Sequence, residues 1–297
     1  MAAVTLRNLT LAAAIALLGA ACTGSTGNPV STGPTGTSAP AASTTPGAGT
    51  TGPAPGRPAE LVTIFDGDTL LVSMDGVEEE VRLLGINTPE SDECFSSEAR
   101  EATESLLGTA ALSIEAAGER DQFGRLLGYA YADGSQVNLA LVEGGYALAL
   151  QTDHSHLAEF LAAEEAAYAA GAGLWAADAC GPPFPAVLGL ADLEPDPPGP
   201  DEDHLNGEWV LLANAGAEAV DLTGWVLRDE SSQNRYRIPE GFLLGAGEAV
   251  AVHTGCGDDS SADLYWCADN PVWNNGGDTA LLLDPAGNVA ARLRYPG

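Results

Sequence analysis

The sequence contains no lysine, and its basic residues are 11 arginines and four histidines. Against them stand 42 acidic residues, so the formal net charge is −31. Non-specific nucleic-acid binding normally depends on many basic side chains that neutralise phosphates. Composition alone therefore argues against a nucleic-acid partner and favours a role for the surface charge in solubility.

The amino terminus lacks an apolar run long enough to span a membrane. Arg7 is the single charge in the first 21 residues, and the apolar run over residues 9–18 is too short for a stable spanning helix. These features predict an export signal over residues 1–21. Leu18-Gly19-Ala20-Ala21-Cys22 resembles a bacterial lipobox, with Gly19 where leucine is usual. We expect lipidation at Cys22 and a membrane-anchored extracellular lipoprotein; ordinary cleavage after Ala21, with simple secretion, is the alternative.

Cysteine is scarce, with five in 297 residues. The number is odd, and a lipidated Cys22 leaves two possible pairs among the other four. In an exported protein we expect one disulfide between Cys94 and Cys180 and a second between Cys256 and Cys267.

Composition divides the rest of the chain into three parts. Residues 22–58 are almost free of charge and rich in Thr, Gly, Ser and Pro, which predicts a disordered linker. Residues 59–180 mix strand-like and helix-like patterns and form the first predicted domain. Residues 181–297 open with a proline-rich acidic segment and continue with short strand-like runs, which predicts a linker and a β-sandwich.

Local patterns give a coarse map of secondary structure. Predicted strands cover residues 61–65, 69–74, 80–86, 112–117, 126–132, 209–214, 220–228, 249–252 and 279–283, with an uncertain strand at 188–193. Predicted helices cover residues 95–111, 138–143 and about 156–170. Ser96 or Ser97 is the expected cap of the first helix.

Three short motifs in the first domain carry oxygen and guanidinium groups suited to phosphodiester chemistry. They are Asp66-Gly67-Asp68-Thr69, Arg82-Leu83-Leu84-Gly85-Ile86-Asn87-Thr88-Pro89-Glu90 and Asp121-Gln122-Phe123-Gly124-Arg125. Together they supply hard oxygen ligands for calcium, one free carboxylate and two guanidinium groups. Each motif alone is most often a plain turn or a surface charge, and their order in one chain favours function.

Three further motifs follow: Tyr131-Ala132-Asp133-Gly134, Val137-Asn138 and Gly173-Leu174-Trp175. Together with the motifs above, they make residues 60–177 resemble the thermonuclease family, the staphylococcal nuclease type. The resemblance implies a five-stranded OB-fold barrel with packed helices. It puts Ca²⁺ on Asp68, Asn87 and the Thr88 carbonyl, with Asp66 nearby holding water. The family often has Asp where this chain has Asn87, so we expect weaker calcium binding.

The same resemblance assigns the chemistry. Glu90 is the candidate general base on an attacking water, and Arg82 and Arg125 are the candidates to hold the scissile phosphate. The implied reaction is cleavage of the P–O5′ bond in DNA or RNA, which leaves 3′-phosphates.

Residues 186–297 resemble a lamin-tail domain. The resemblance lies in Asn206-Gly207-Glu208-Trp209-Val210, the segment 219–229 and the segment 272–284. The resemblance implies an immunoglobulin-like sandwich, so the whole chain is mainly β with two domains. The implied role is attachment to substrate or to a surface, with an unknown ligand. The net negative charge of residues 181–297 argues against direct DNA binding.

The combined interpretation is a calcium-dependent nuclease, monomeric, exported and tethered through Cys22. The first alternative is a non-catalytic nucleic-acid or protein binding module on the same scaffold, in which the carboxylates and arginines have been lost. The second is a cell-surface structural protein with a passive barrel. This chain retains Asp68, Arg82, Glu90 and Arg125, which favours the enzyme.

Overall fold

The structure, a computed structural model, describes residues 55–297. The predicted export signal, Cys22 and most of the predicted linker lie outside the described residues. Within the described part, no helix combines the length and the apolar character needed to cross a membrane.

The first half of the described chain is built on a closed barrel of five strands. Antiparallel pairing gives the order β3-β2-β1-β5-β6, and a parallel pairing of β3 with β6 closes the barrel. The strands of this half are β1 (Arg57–Ile64), β2 (Thr69–Met74), β3 (Val77–Leu83), β4 (Ile86–Asn87), β5 (Leu112–Arg120), β6 (Leu126–Ala132), β7 (Ser135–Gln136) and β8 (Leu148–Ala149). β1 begins at Arg57, a few residues before the predicted first strand. The barrel confirms the predicted OB-fold.

Three helices surround the barrel: α1 (Ser96–Leu107), α2 (Val137–Glu143) and α3 (Leu157–Ala170). The predicted serine cap of α1 is wrong, because Phe95 precedes the helix with a φ of 70° and no side chain caps it. The helix also ends before residue 111. Gly108, with a φ of 36°, adopts a backbone conformation that few other residues tolerate, so it terminates α1.

The second half forms two packed sheets, as predicted for an immunoglobulin-like sandwich. One sheet has the order β16-β15-β10-β9 and the other β13-β12-β17-β18. The strands are β9 (Leu188–Glu194), β10 (Trp209–Asn214), β11 (Val220–Asp221), β12 (Val226–Arg228), β13 (Arg235–Arg237), β14 (Leu243–Leu244), β15 (Ala249–His253), β16 (Asp263–Tyr265), β17 (Gly277–Leu283) and β18 (Val289–Pro296). The predicted single strand over 220–228 is wrong. It breaks at a turn in which Gly224 has a φ of 84°.

The two halves are packed together beside the Glu90 loop, and each half carries its own disulfide. The disulfides Cys94–Cys180 and Cys256–Cys267 are both present, which confirms the predicted pairing. The first spans a sequence separation of 86 residues, and for such a loop the chain-entropy argument gives about 4–5 kcal/mol. Leu281 of β17 joins a buried cluster with Leu174 and Trp175. The second half therefore has a fixed place against the barrel.

Candidate active site

Asp68 joins the first turn of the barrel to the end of a later strand. Its side chain is buried, and Oδ2 accepts hydrogen bonds from the Thr88 backbone N–H (2.7 Å) and from Thr88 Oγ1 (3.0 Å). Its other oxygen, Oδ1, lies 3.1 Å from Nε of Arg82. Asp66 Oδ1 accepts the backbone N–H of Asp68 at 3.0 Å. Asp66 therefore shapes the turn, and Asp68 connects it to the Thr88 segment.

Arg82 spans two of the three predicted metal ligands. Besides its ion pair with Asp68, it donates from Nη2 to Asn87 Oδ1 at 3.1 Å. Its Nη1 donates to the backbone carbonyls of Leu83 (2.6 Å) and Ile86 (2.8 Å). The guanidinium is therefore held in one orientation at the centre of the candidate site.

Asn87 is held by the second half of the chain as well as by Arg82. It lies on β4, which pairs with β8, and its Nδ2 donates to the backbone carbonyl of Glu230 at 3.1 Å. An aspartate at this position has no N–H to donate to that carbonyl. The carboxamide therefore satisfies a contact with the sandwich that a carboxylate cannot make.

Glu90 is exposed, and its loop is braced by Glu93. The Glu90 backbone N–H donates to Glu93 Oε2 at 3.0 Å, and the Glu93 N–H donates to the Glu90 carbonyl at 2.8 Å. Glu93 in turn forms ion pairs with Arg228, at 3.5 Å, and with Arg235 of the sandwich. Sequence reasoning missed Glu93, because its partners lie more than 130 residues away and no motif marks it.

Arg125 sits on a turn organised by Asp121. Asp121 Oδ2 accepts from Arg125 Nε at 2.7 Å, and Oδ1 accepts the backbone N–H groups of Phe123 and Arg125. Phe123 is 70% exposed, and its ring centroid lies 5.3 Å from the guanidinium carbon. Thr69 Oγ1 lies 3.5 Å from Arg125 Nη1 and donates to Asp68 Oδ1. One threonine hydroxyl therefore links Arg125 to the rest of the site.

The structure thus brings most of the predicted site residues together. Asp68, Arg82, Asn87 and Thr88 are in direct contact, and Arg125 connects to them through Thr69. Glu90 makes no hydrogen bond to these side chains, but it lines a cavity together with Asn87 and Thr88.

The predicted metal ligands suit a hard cation through their chemistry. No three His, Cys, Asp or Glu side chains gather in a metal-binding group within residues 55–297. The candidate set has one carboxylate, one amide oxygen and one backbone carbonyl, all oxygen donors of the kind calcium uses. Burial raises the pKa of Asp68 to about 6, against the lowering effect of Arg82. A cation relieves the cost of that buried charge, so the residues fit Ca²⁺, with fewer negative ligands than a two-carboxylate site.

A cluster of buried acids in the sandwich lies behind Asn87. Burial, the larger cause, and the nearby Asp278 together raise the pKa of Glu230 to about 8. Burial and the neighbouring Asp229 likewise raise the pKa of Asp278 to about 7. Glu230 Oε1 accepts the backbone N–H of Gln151, next to β8. The buried carboxyls of Glu230 and Asp278 are therefore costly to ionise.

Replacing Glu230 by glutamine should stabilise the metal-free protein at high pH. A carboxyl with a raised pKa stabilises the fold while it is protonated, and that contribution disappears as pH rises through about 8. We expect E230Q to raise the free energy of unfolding by on the order of 2 kcal/mol at pH 9 and to change it little at pH 5. Urea unfolding in EDTA at both pH values measures this. Exposed Glu240→Gln is the control, and an equal effect of E230Q at both pH values contradicts the prediction.

Two family models match the chain in sequence order. Residues 80–177 match the staphylococcal nuclease homologue family and residues 188–297 match the Lamin Tail Domain family. Together these matches cover the barrel's site motifs from Arg82 onward and both sheets of the sandwich.

Curated relatives align with the nuclease part. An uncharacterized endonuclease of Haemophilus influenzae is 33% identical over 117 residues, which cover 39% of this chain and 65% of that protein. Endonuclease YncB of Bacillus subtilis is 34% identical over 91 residues, covering 28% and 43%. A thermonuclease of Staphylococcus intermedius is 31% identical over 93 residues, covering 29% and 55%. The chain spans less than two thirds of each relative. By the two family models, this chain carries a domain of the staphylococcal nuclease family followed by a lamin tail domain.

Proposed function

We propose that this protein is a calcium-dependent phosphodiesterase that hydrolyses DNA or RNA outside the cytoplasm. The observation that carries the proposal is the direct contact among Asp68, Arg82, Asn87 and Thr88, with Arg125 one hydroxyl away. The endonuclease names of the relatives support the same reaction class.

The chain's own groups divide the task by their chemistry. Asp68, Asn87 and the Thr88 carbonyl would hold the cation, which when bound supplies charge that polarises the phosphoryl group. Arg82 and Arg125 hold the nonbridging oxygens of the scissile phosphate, because two guanidinium groups match the charge that builds up there.

Glu90 serves as the general base in this scheme. It takes a proton from a water molecule as the water oxygen forms its bond to phosphorus. The P–O5′ bond breaks, the departing 5′ oxygen takes a proton from solvent, and the phosphate stays on the 3′ side. Exposure of Glu90 leaves its carboxylate available for this proton, since it is not used as a metal ligand.

A non-catalytic binding module is the second candidate, and one observation favours it. The Arg82 guanidinium is already engaged by Asp68, Asn87 and two backbone carbonyls, as in a group that only supports the fold. Under the enzyme proposal, Arg82 exchanges part of these contacts for the phosphate when substrate binds.

The site of action is part of the proposal. We propose export, with a lipid anchor at Cys22 or simple secretion, and a monomeric protein. Two disulfides in the described chain support an oxidising compartment.

Chelation of calcium should abolish the activity. We expect the chain without residues 1–21 to degrade single-stranded DNA or RNA in millimolar Ca²⁺ and to lose at least about 100-fold in rate with excess EGTA. Moderate salt should leave the rate unchanged or raise it, because cations screen the repulsion between the acidic protein and a polyanion. A gel assay with and without EGTA, across a salt series, measures both effects. Equal cleavage in EGTA, or a steep fall from low salt upward, contradicts the proposal.

A further inference from the structure

The arginines of the lamin tail domain are concentrated on the face that meets the nuclease domain. The domain has five, and two of them, Arg292 and Arg294, form ion pairs with Glu165 and Glu164 of α3. The other three line the cavity beside Glu90: Arg228, Arg235 and Arg237. An acidic domain therefore directs all its arginines to one side.

Strand pairing explains why three guanidinium groups share one face. In the β12–β13 hairpin, Arg228 lies opposite Arg235 and Val226 lies opposite Arg237. Residues that are opposite each other, or two apart on one strand, point to the same side of a sheet. Tyr236, between the two arginines of β13, is buried on the other side.

The cavity connects this basic face to the candidate site. It has a volume of about 460 Å³, and the barrel contributes Asn87, Thr88 and Glu90 to its lining. Glu93 engages Arg228 and Arg235, whereas Arg237 is exposed and forms no ion pair with any residue in the described part of the chain. Glu90 and Asp92 line the same cavity and offset part of the repulsion between Arg235 and Arg237, and Arg237 remains the guanidinium available to an external anion.

We propose that Arg237 binds a phosphate of the nucleic-acid strand next to the scissile phosphate, so that the lamin tail domain forms one wall of the substrate cleft. The inference rests on the proposed function and names a substrate contact for it. Phosphate contacts position a strand without reading its sequence, and a guanidinium can hold a phosphate through two hydrogen bonds. The cavity is also lined by the carboxylates of Glu90, Asp92, Glu93 and Asp284, so the contact depends on the guanidinium of Arg237 and not on a positive net charge of the lining.

The test compares a long and a short substrate. In Ca²⁺, kcat/KM is measured for a single-stranded DNA of about 20 nucleotides and for a dinucleotide, which has no neighbouring phosphate to fill the cavity. We expect R237A to lower the ratio of the two values about three- to tenfold and R237K to lower it less. The control R57A removes an exposed arginine on β1 that pairs with Asp75, and it should leave the ratio unchanged.

Binding of the same labelled 20-mer, followed by fluorescence anisotropy over a salt series, gives a second readout. R237A should weaken binding and shift the slope of log affinity against log salt by about one in the positive direction, whatever slope the wild type has.

The outcomes separate the two proposals. If the wild-type chain cleaves neither substrate, the proposed function fails, and anisotropy alone then decides the role of Arg237. If the wild type cleaves both and R237A keeps the wild-type ratio and salt slope, the phosphate contact is wrong. An equal loss on both substrates also overturns it, because such a loss shows that Arg237 supports the fold or the chemistry.

Discussion

Glutamine in place of Glu90 is expected to lower kcat by roughly 10²–10⁴-fold, the usual contribution of a general base. Glutamine keeps the size of the side chain and the backbone N–H that donates to Glu93, but it cannot accept a proton from water. Because Glu90 is exposed, the change should leave the melting temperature unchanged. Steady-state kinetics in saturating Ca²⁺, with a thermal melt of each preparation, measures both quantities.

Asp92→Asn is the matched control for this prediction. Asp92 is exposed, lies two residues after Glu90 and lines the same cavity, so its replacement removes one negative charge from the same place. We expect a change of a few-fold at most in D92N. If E90Q retains more than a tenth of the wild-type rate, or if D92N loses as much as E90Q, Glu90 is not the base.

The architecture of the barrel and the sandwich was predictable because its signals are local. Asp-Gly turns separate the first strands, and β10 alternates buried and half-buried residues in the way a sandwich strand should. The same logic found the residues of the site, since each of them lies inside a contiguous motif. The helix start and one strand were predicted wrongly where a residue with positive φ interrupts a segment of suitable composition. These residues are Phe95 before α1 and Gly224 between β11 and β12.

Contacts between the two domains could not be predicted from the sequence. Asn87 and Glu230 are 143 residues apart, and neither carries a signal of the other. Glu93 resembles any acidic residue before a helix, yet it joins the Glu90 loop to two arginines of the sandwich. Such pairs form only when two folded domains pack together. The sequence pattern within one domain does not indicate how that domain packs against the other.

These contacts give a physical reason for asparagine at position 87, where the family often has aspartate. The sequence alone suggests that asparagine weakens calcium binding by removing a charge. The structure adds that the carboxamide nitrogen donates to the Glu230 carbonyl, in a region where nearby acids already have raised pKa values. A carboxylate at position 87 would place another negative charge beside Glu230 and leave that carbonyl without its donor. The lamin tail domain therefore favours the uncharged residue.

Arg82→Ala is expected to lower kcat by roughly 10²–10³-fold while calcium binding is kept or strengthened. The rate falls because a guanidinium that stabilises charge on the phosphate is lost. Calcium binding gains because the positive charge 3.1 Å from Asp68 Oδ1 no longer opposes the cation. Kinetics over a calcium series gives the rate at saturation and the half-saturating concentration. The rise in melting temperature on adding Ca²⁺, larger in R82A than in the wild type, gives calcium binding without turnover.

Arg82→Lys keeps this prediction testable if R82A folds poorly, because removing one partner of a buried ion pair can cost about 3–5 kcal/mol. Lysine retains a positive charge near Asp68. It lacks the planar guanidinium group, however, so it cannot donate to Asp68, Asn87 and a phosphate at the same time. We expect R82K to stay folded, to lose at least about tenfold in kcat and to show a wild-type calcium response. R100A, which removes an exposed arginine paired with Glu104 on α1, is the control for the loss of one charge. Arg82 is a structural brace alone if R82K and R82A, both folded, cleave DNA at the wild-type rate.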